Sequence, residues 1–316
     1  MGSAPRLLSL TAAKTSWFRG AGIPAVLIFL LAGCAAEVGG NADELAKAMA
    51  ANHQAVVATL NRVNDEARPF LIQQEVEAPA FSADKLFLLA PADVAAWDKI
   101  LAGLDNYCAA LGNLTSGKAS EKYEEVTEAF GCNVQALAKA AKLNPGTVTE
   151  GVEAGVTELG AILIRRKASA DAVAIAREAD PHFQAVVHGL VEALGFAGRP
   201  PEPAAHGLLA TYEADFAAFT AEQGKKFRDN GIADYETMTP AGKKAAIGEF
   251  IAWQATQREH QALLDAIKTL AAALDKAAVA HGRLAGGSKE SADAALAALK
   301  ADVQNASAIY QTYRKG

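Results

Sequence analysis

Between Pro91 and Leu111 the large apolar positions are Val94, Trp97, Leu101, Leu104, Cys108 and Leu111, separated by steps of 3, 4, 3, 4 and 3. That spacing returns to one face of an α-helix and predicts a helix over about 91–112 buried along one side. The rhythm recurs at Val152, Val156, Leu159 and Leu163, and at Phe183, Val187, Leu190 and Leu194. It returns at Leu209, Tyr212, Phe216 and Phe219, and near the C-terminus at Leu296, Leu299, Val303, Ala306, Tyr310 and Tyr313. Its longest run is Trp253, Thr256, His260, Leu263, Ile267, Leu270, Leu274, Ala277, His281 and Leu284. This run predicts one helix of about 45 residues, roughly 68 Å long, with the seam of a coiled coil. No segment alternates apolar and polar residues in the manner of a strand. The expected fold is all-α: an elongated antiparallel helical bundle with long coiled-coil-like helices.

Prolines and glycines punctuate the pattern. A first helix is expected from about Ala42 to Arg68, ended or kinked at Pro69, with Phe70 to Val76 as its continuation. Ser82 is placed to cap a short turn over 83–89, and Pro91 to open the next helix. Asn144-Pro145-Gly146 is a break, after which Thr147 and Glu150 have the spacing of a capping box. A kink is expected at Pro181. Residues 198–204, with Pro200, Pro201 and Pro203, form the best linker in the chain. It divides a first helical part, 42–197, from a second, 205–316, unless both belong to one continuous bundle. Thr239-Pro240 reads as an N-cap followed by a proline at the first helical position. Gly286-Gly287-Ser288 turns the chain into the last helix.

Composition adds the character of the core. Of 316 residues, 51% are apolar but only 7% aromatic, and about a quarter are alanine, so small side chains fill the seams. The formal net charge of −6 argues against a general nucleic-acid binder.

The N-terminal segment is of a different kind. Arg6, Lys14 and Arg19 precede a nine-residue apolar run, Ile23 to Leu31, which is too short to anchor a chain across a bilayer. It has the form of the apolar region of a secretory signal. The sequence Leu31-Ala32-Gly33-Cys34 that follows resembles the lipobox of bacterial lipoproteins. The resemblance covers residues 1–34. It implies cleavage between Gly33 and Cys34, lipid on the Cys34 sulfur, and a flexible tether over 34–41. It also implies residence in the cell envelope, with Ala35 favouring the periplasmic leaflet of the outer membrane over the inner membrane. Loss of residues 1–33, which contain no acid, leaves 283 residues and a net charge of −9. Two or three acyl chains would hold such an acidic body to a membrane without a basic surface.

Candidate chemistry is sparse. Cys108 and Cys132 are either a disulfide, favoured by an oxidising envelope, or two separate small core residues. Glu178 with His182, and His188 with Glu192, are i, i+4 pairs that read as solvated surface pairs and, less naturally, as half of a metal site. His260 and His281 fall on the long seam, where a polar residue can fix helix register; metal, haem or pH-switch roles are the alternative. Arg165-Arg166-Lys167 fits either a solvated face with acidic neighbours or contact with anionic headgroups. There is no H-E-x-x-H, C-x-x-C-H, phosphate loop or nucleophile elbow. The resulting expectation is a non-enzymatic, lipid-anchored scaffold, adaptor or assembly factor that binds an envelope protein. It needs no cofactor beyond the lipid on Cys34. The rival expectation is a periplasmic carrier of a small ligand, metal or haem, with its pocket between helices near Trp253 and His260.

Overall fold

The computed structural model describes residues 22–76, 78–115, 150–166, 171–197, 207–228, 232, 234–287 and 289–314. Among these, no strand occurs and the helices pack on one another, as the 3–4 spacing requires. The helices are α1 (Gly22–Val76), α2 (Pro91–Thr115), α3 (Glu150–Arg165) and α4 (Ala172–Leu194), followed by α5 (Leu208–Arg228), α6 (Pro240–Ala285) and α7 (Lys289–Arg314). Short 3-10 turns lie at Ala83–Leu86 and Tyr235–Thr237. Cys132, Thr147, Lys167 and the proline-rich 198–204 lie outside the described residues. So do the side chains of Tyr310 and Tyr313.

Every apolar position of the α2, α3 and α4 stripes is buried, and Leu299 and Val303 are buried on α7. Helices from both sides of the proline-rich segment contribute to one core, with α4 packed on α6 and α1 packed on α6 and α7. Alanines 271, 273, 277, 278 and 280 are almost wholly buried on α6, which lets the backbones approach closely. Glycine does the same between α3 and α4. A Cβ on Gly155 would stand 2.5 Å from Val186 Cγ2 and 3.1 Å from the His182 carbonyl oxygen.

Several boundaries differ from the sequence expectation. At Pro69 the expected continuation is the one found: α1 runs on to Val76, with Phe70 buried against Tyr212, Phe216 and Phe219 of α5. Backbone helix also extends through Cys34 and 35–41, where a tether was expected; the alanines there favour helix, and Asn41 and Ala42 are buried. Pro181 lies inside α4, and the break falls earlier, where Asp171 accepts a hydrogen bond from Ala174 N–H and caps the helix. Ser82 makes no side-chain cap. Its backbone N–H instead donates to the buried Glu75 carboxylate at 2.7 Å. Thr239 caps α6 as expected, accepting from Gly242 N–H at 3.2 Å.

The expected seam of α6 is covered unevenly. The helix is unbroken over 46 residues, yet only its second half, from Leu263 to Ala285, is consistently core. Its first half has one buried residue, Ala246, and exposes Ile247 and Ile251. The seam positions Trp253, Thr256 and His260 are half-buried, so the seam is covered less completely there than in the second half. Periodicity records which residues share a face, but not whether a partner is present to cover that face.

Side-chain contacts fix the two ends of the bundle. At the base, in the first half of α1, Glu44 pairs with Lys300, and a Cβ on Gly112 would touch the Asp43 backbone at 3.2 Å. At the head, Asn64 clasps the Leu89 backbone by two hydrogen bonds of 2.8 and 2.9 Å, and Glu66 faces Glu259 of α6. From Glu259 the first part of α6 runs on past that level toward Pro240. With α5 and the Tyr235–Thr237 turn it forms the upper end of the molecule.

Candidate functional site

Two places concentrate polar chemistry, and they differ in access. The first is inside the bundle. Tyr107 of α2 and His281 of α6 are both fully buried, and the tyrosine hydroxyl lies 2.8 Å from His281 Nε2. On the other side of the ring, Nδ1 lies 2.8 Å from Asp180 Oδ1 of α4. The carboxylate accepts only, so Nδ1–H donates to it. Burial favours the neutral imidazole, in which Nε2 accepts a hydrogen bond from the tyrosine hydroxyl. Burial lowers the His281 pKa, with Asp180 opposing, and the hydrogen bond from His281 holds Asp180 below the usual carboxylate range. Gln184 Nε2 donates to Asp180 Oδ1 at 3.2 Å and to the Ala278 carbonyl at 2.7 Å. Phe183 stacks on the imidazole at 4.3 Å between centroids.

The arrangement has the order of a nucleophile, base and carboxylate relay, but its hydroxyl end has no solvent access. Three helices meet at one imidazole with both nitrogens satisfied. The imidazole links α2, α4 and α6, and both its nitrogens are engaged inside the protein. The spacing placed His281 in the seam, but it did not identify Tyr107, Asp180 or Gln184 as partners. Tyr107 lies between Leu104 and Cys108 of the buried stripe, and that neighbourhood was the available signal.

The remaining sequence candidates are dispersed. Cys108 is buried, and burial pushes its thiol well up; Cys132 lies outside the described residues. His188 and Glu192 are exposed. Glu178 accepts from Arg165 at 3.1 Å and from Arg166 at 2.8 Å, so the basic cluster meets an acidic neighbour across the hairpin. Among the described residues no three His, Cys, Asp or Glu side chains are placed to hold a metal ion. His53, which the spacing did not single out, bridges Asp105 at 2.7 Å and Asp98 at 2.8 Å and joins α1 to α2. Burial opposes its charge, but the two carboxylates together raise its pKa.

The second place is the head of the bundle, where α5 and α6 are held apart by rings. His260 stacks on Phe216 at 3.5 Å and lies 5.1 Å from Tyr212. Two turns earlier on α6, Trp253 lies 5.6 Å from Phe227 and 6.0 Å from Phe250. Beyond these rings opens a groove of about 830 Å³ lined by Phe227, Ile232, Tyr235, Ile247 and Phe250, with Asp234 and Glu236 among its polar residues. Asp234 adopts a left-handed φ of 59°, alone among the described non-glycine residues. Lys243 extends its ammonium over the Tyr235 ring at 5.0 Å.

Six large apolar side chains are strongly exposed among the described residues: Ile72, Val76, Phe81, Ile164, Ile247 and Ile251. All but Ile164 lie at the head. None of the described helices is long and apolar enough to cross a membrane. Comparisons with protein-family models, curated proteins and solved structures give no match. The functional reading therefore rests on the chain itself.

Proposed function

We propose that this chain is a lipid-anchored protein of the bacterial cell envelope that acts without catalysis, as an adaptor or assembly factor, through the head of its bundle. The observation that carries the reading is the gathering of exposed Ile72, Val76, Phe81, Ile247 and Ile251 at the end remote from Cys34. Exposed apolar residues concentrated at one end of a monomer favour contact with another protein. The lipobox supports the anchor. Cys34 precedes the first buried alanine, Ala42, by eight residues, about 12 Å of helix, and so belongs to the base. The buried Tyr107–His281–Asp180 chain supports a role at the surface, since its side chains engage one another inside the bundle.

Photo-crosslinking from single positions tests this reading in cells. A crosslinker at Phe81 or Ile251 is expected to give a discrete adduct with one envelope protein. At exposed Lys47, on the base, it is expected to give none. Adding Ile247→Glu should reduce the head adduct at least about fivefold. Equal labelling from both ends, or an adduct indifferent to Ile247→Glu, would contradict the proposal.

A further inference from the structure

At the tip of the α3–α4 hairpin an exposed apolar side chain meets the sharpest basic cluster of the sequence. Ile164 is 60% exposed there, beside the half-exposed side chains of Arg165 and Arg166. Contacts on both sides place this tip at the base. Val173, in the first turn of α4, lies beside Gly287 just past the end of α6. Further along, Asp180 faces Gly282 of α6, His281 bonds Tyr107 of α2, and Gly112 of α2 abuts Asp43 of α1. α3 runs antiparallel to α4, with Gly155 against Val186 and Arg165 bonded to Glu178, so its C-terminal turn lies beside the start of α4. The tip is therefore level with the first buried turn of α1. Cys34 precedes that turn by only eight residues, about 12 Å of helix.

We infer that the α3–α4 tip is a second membrane contact, which rests on an anionic phospholipid leaflet once the lipid on Cys34 has brought the base to it. Arg165 and Arg166 hold headgroup phosphates, Ile164 enters the interface, and the bundle stands with its head away from the bilayer. Glu178 is the carboxylate within hydrogen-bond distance of both arginines, so two guanidinium groups share it, and Glu158 lies 3.9 Å from Arg165. Exposed pairs of this kind contribute little and exchange readily, whereas a guanidinium grips a phosphate through two parallel hydrogen bonds. Asp171, the other acid of the tip, is engaged in capping α4. Arg283, exposed in the last turn of α6, adds a cation at the same end. The anionic leaflet attracts such residues only within about a Debye length, and the anchor supplies that proximity. A short connection also gives a high effective concentration, so contacts too weak to recruit the chain still orient it.

The inference rests on the anchor reading, and the test separates the two. The chain is recovered from membranes of a Gram-negative host with a photo-crosslinking residue at position 164 or, on the head, at position 251. It is reconstituted with vesicles of phosphatidylethanolamine and phosphatidylglycerol, or with phosphatidylcholine in place of the phosphatidylglycerol. Flotation with the vesicles reports the anchor, and the mass of phospholipid adducts reports the contact. Position 164 is expected to give at least about fivefold more phospholipid adduct than position 251. Replacing phosphatidylglycerol, or combining Arg165→Gln with Arg166→Gln at these half-exposed positions, should lower that adduct at least about threefold without changing flotation. Glu178→Gln, which releases both guanidinium groups, should raise it. A chain that floats but labels lipid equally from both positions would overturn the inference and leave the anchor standing. So would an adduct indifferent to phosphatidylglycerol and to both arginines. A chain that does not float would overturn the anchor reading itself.

Discussion

His281→Ala is expected to lower the stability of the folded chain by about 3–5 kcal/mol, read as a shift in the urea unfolding midpoint. The substitution opens a cavity where α2, α4 and α6 meet and removes the ring that stacks on Phe183. It also strands two groups. The buried Tyr107 hydroxyl loses its acceptor, and Asp180 keeps only Gln184 of the two side-chain donors that hold it. Removing one partner of a buried network costs more than removing both, because the survivor is desolvated without compensation. Tyr107→Phe alone should therefore cost about 1–2 kcal/mol. Combined with His281→Leu it should cost less than the sum of the two single changes. Strict additivity would show that the hydrogen bond seen here does not couple these helices.

Acid should destabilise the fold before alkali does. His281 and His260 both have folded pKa values below the ordinary histidine value. The unfolded chain therefore binds more protons than the folded one once the pH drops below about 6.5, and stability falls with it. For His260 the loss continues down to its folded value of about 4. Each histidine contributes a slope of up to about 1.4 kcal/mol per pH unit. Asp180 adds to the loss further down. Its pKa is depressed in the fold, so its contribution is present above the unfolded value and disappears as the pH falls through the folded one. His53 has the opposite sign. Its pKa is raised, so its contribution is complete below about 6.5 and is lost as the pH rises through the folded value. Stability measured by urea between pH 4 and 9 should peak near neutrality and fall more steeply on the acid side. His281→Leu, which cannot titrate, should flatten that acid limb. An acid limb unchanged by His281→Leu would remove the imidazole from the account.

The helical fold was legible in the sequence because burial leaves a direct record in spacing. The stripes of α2, α3 and α4 are buried position for position, and the N-cap at Thr239 makes the expected bond. Pro69 and Pro181 both lie inside helices, since packing on both sides of each outweighs one missing N–H. The first half of α6 is covered less completely than its spacing implies. Its 3–4 pattern continues the seam, but whether a seam is covered depends on the length and placement of other helices, which periodicity does not encode. Trp253 and His260 were legible as neighbours on that seam, but neither is among the described residues that line the groove. The phenylalanines opposite, Phe216 and Phe227, come from another helix and could be joined to them only in three dimensions. The partners of His281 were hidden for the same reason, since Tyr107 is 174 residues away and Asp180 101.

A head that binds a protein and a base that carries lipid make sense together only if Cys34 is the point of attachment. The most direct test of this account is palmitate labelling with membrane fractionation, in a Gram-negative host that produces the full chain or its Cys34→Ser variant. The account predicts that the wild-type chain takes up label, loses the mass of residues 1–33 and sediments with membranes after a high-salt wash. It predicts that Cys34→Ser takes up no label. A wild-type chain that stays unlabelled and uncleaved, or a Cys34→Ser variant labelled as strongly as wild type, would contradict it.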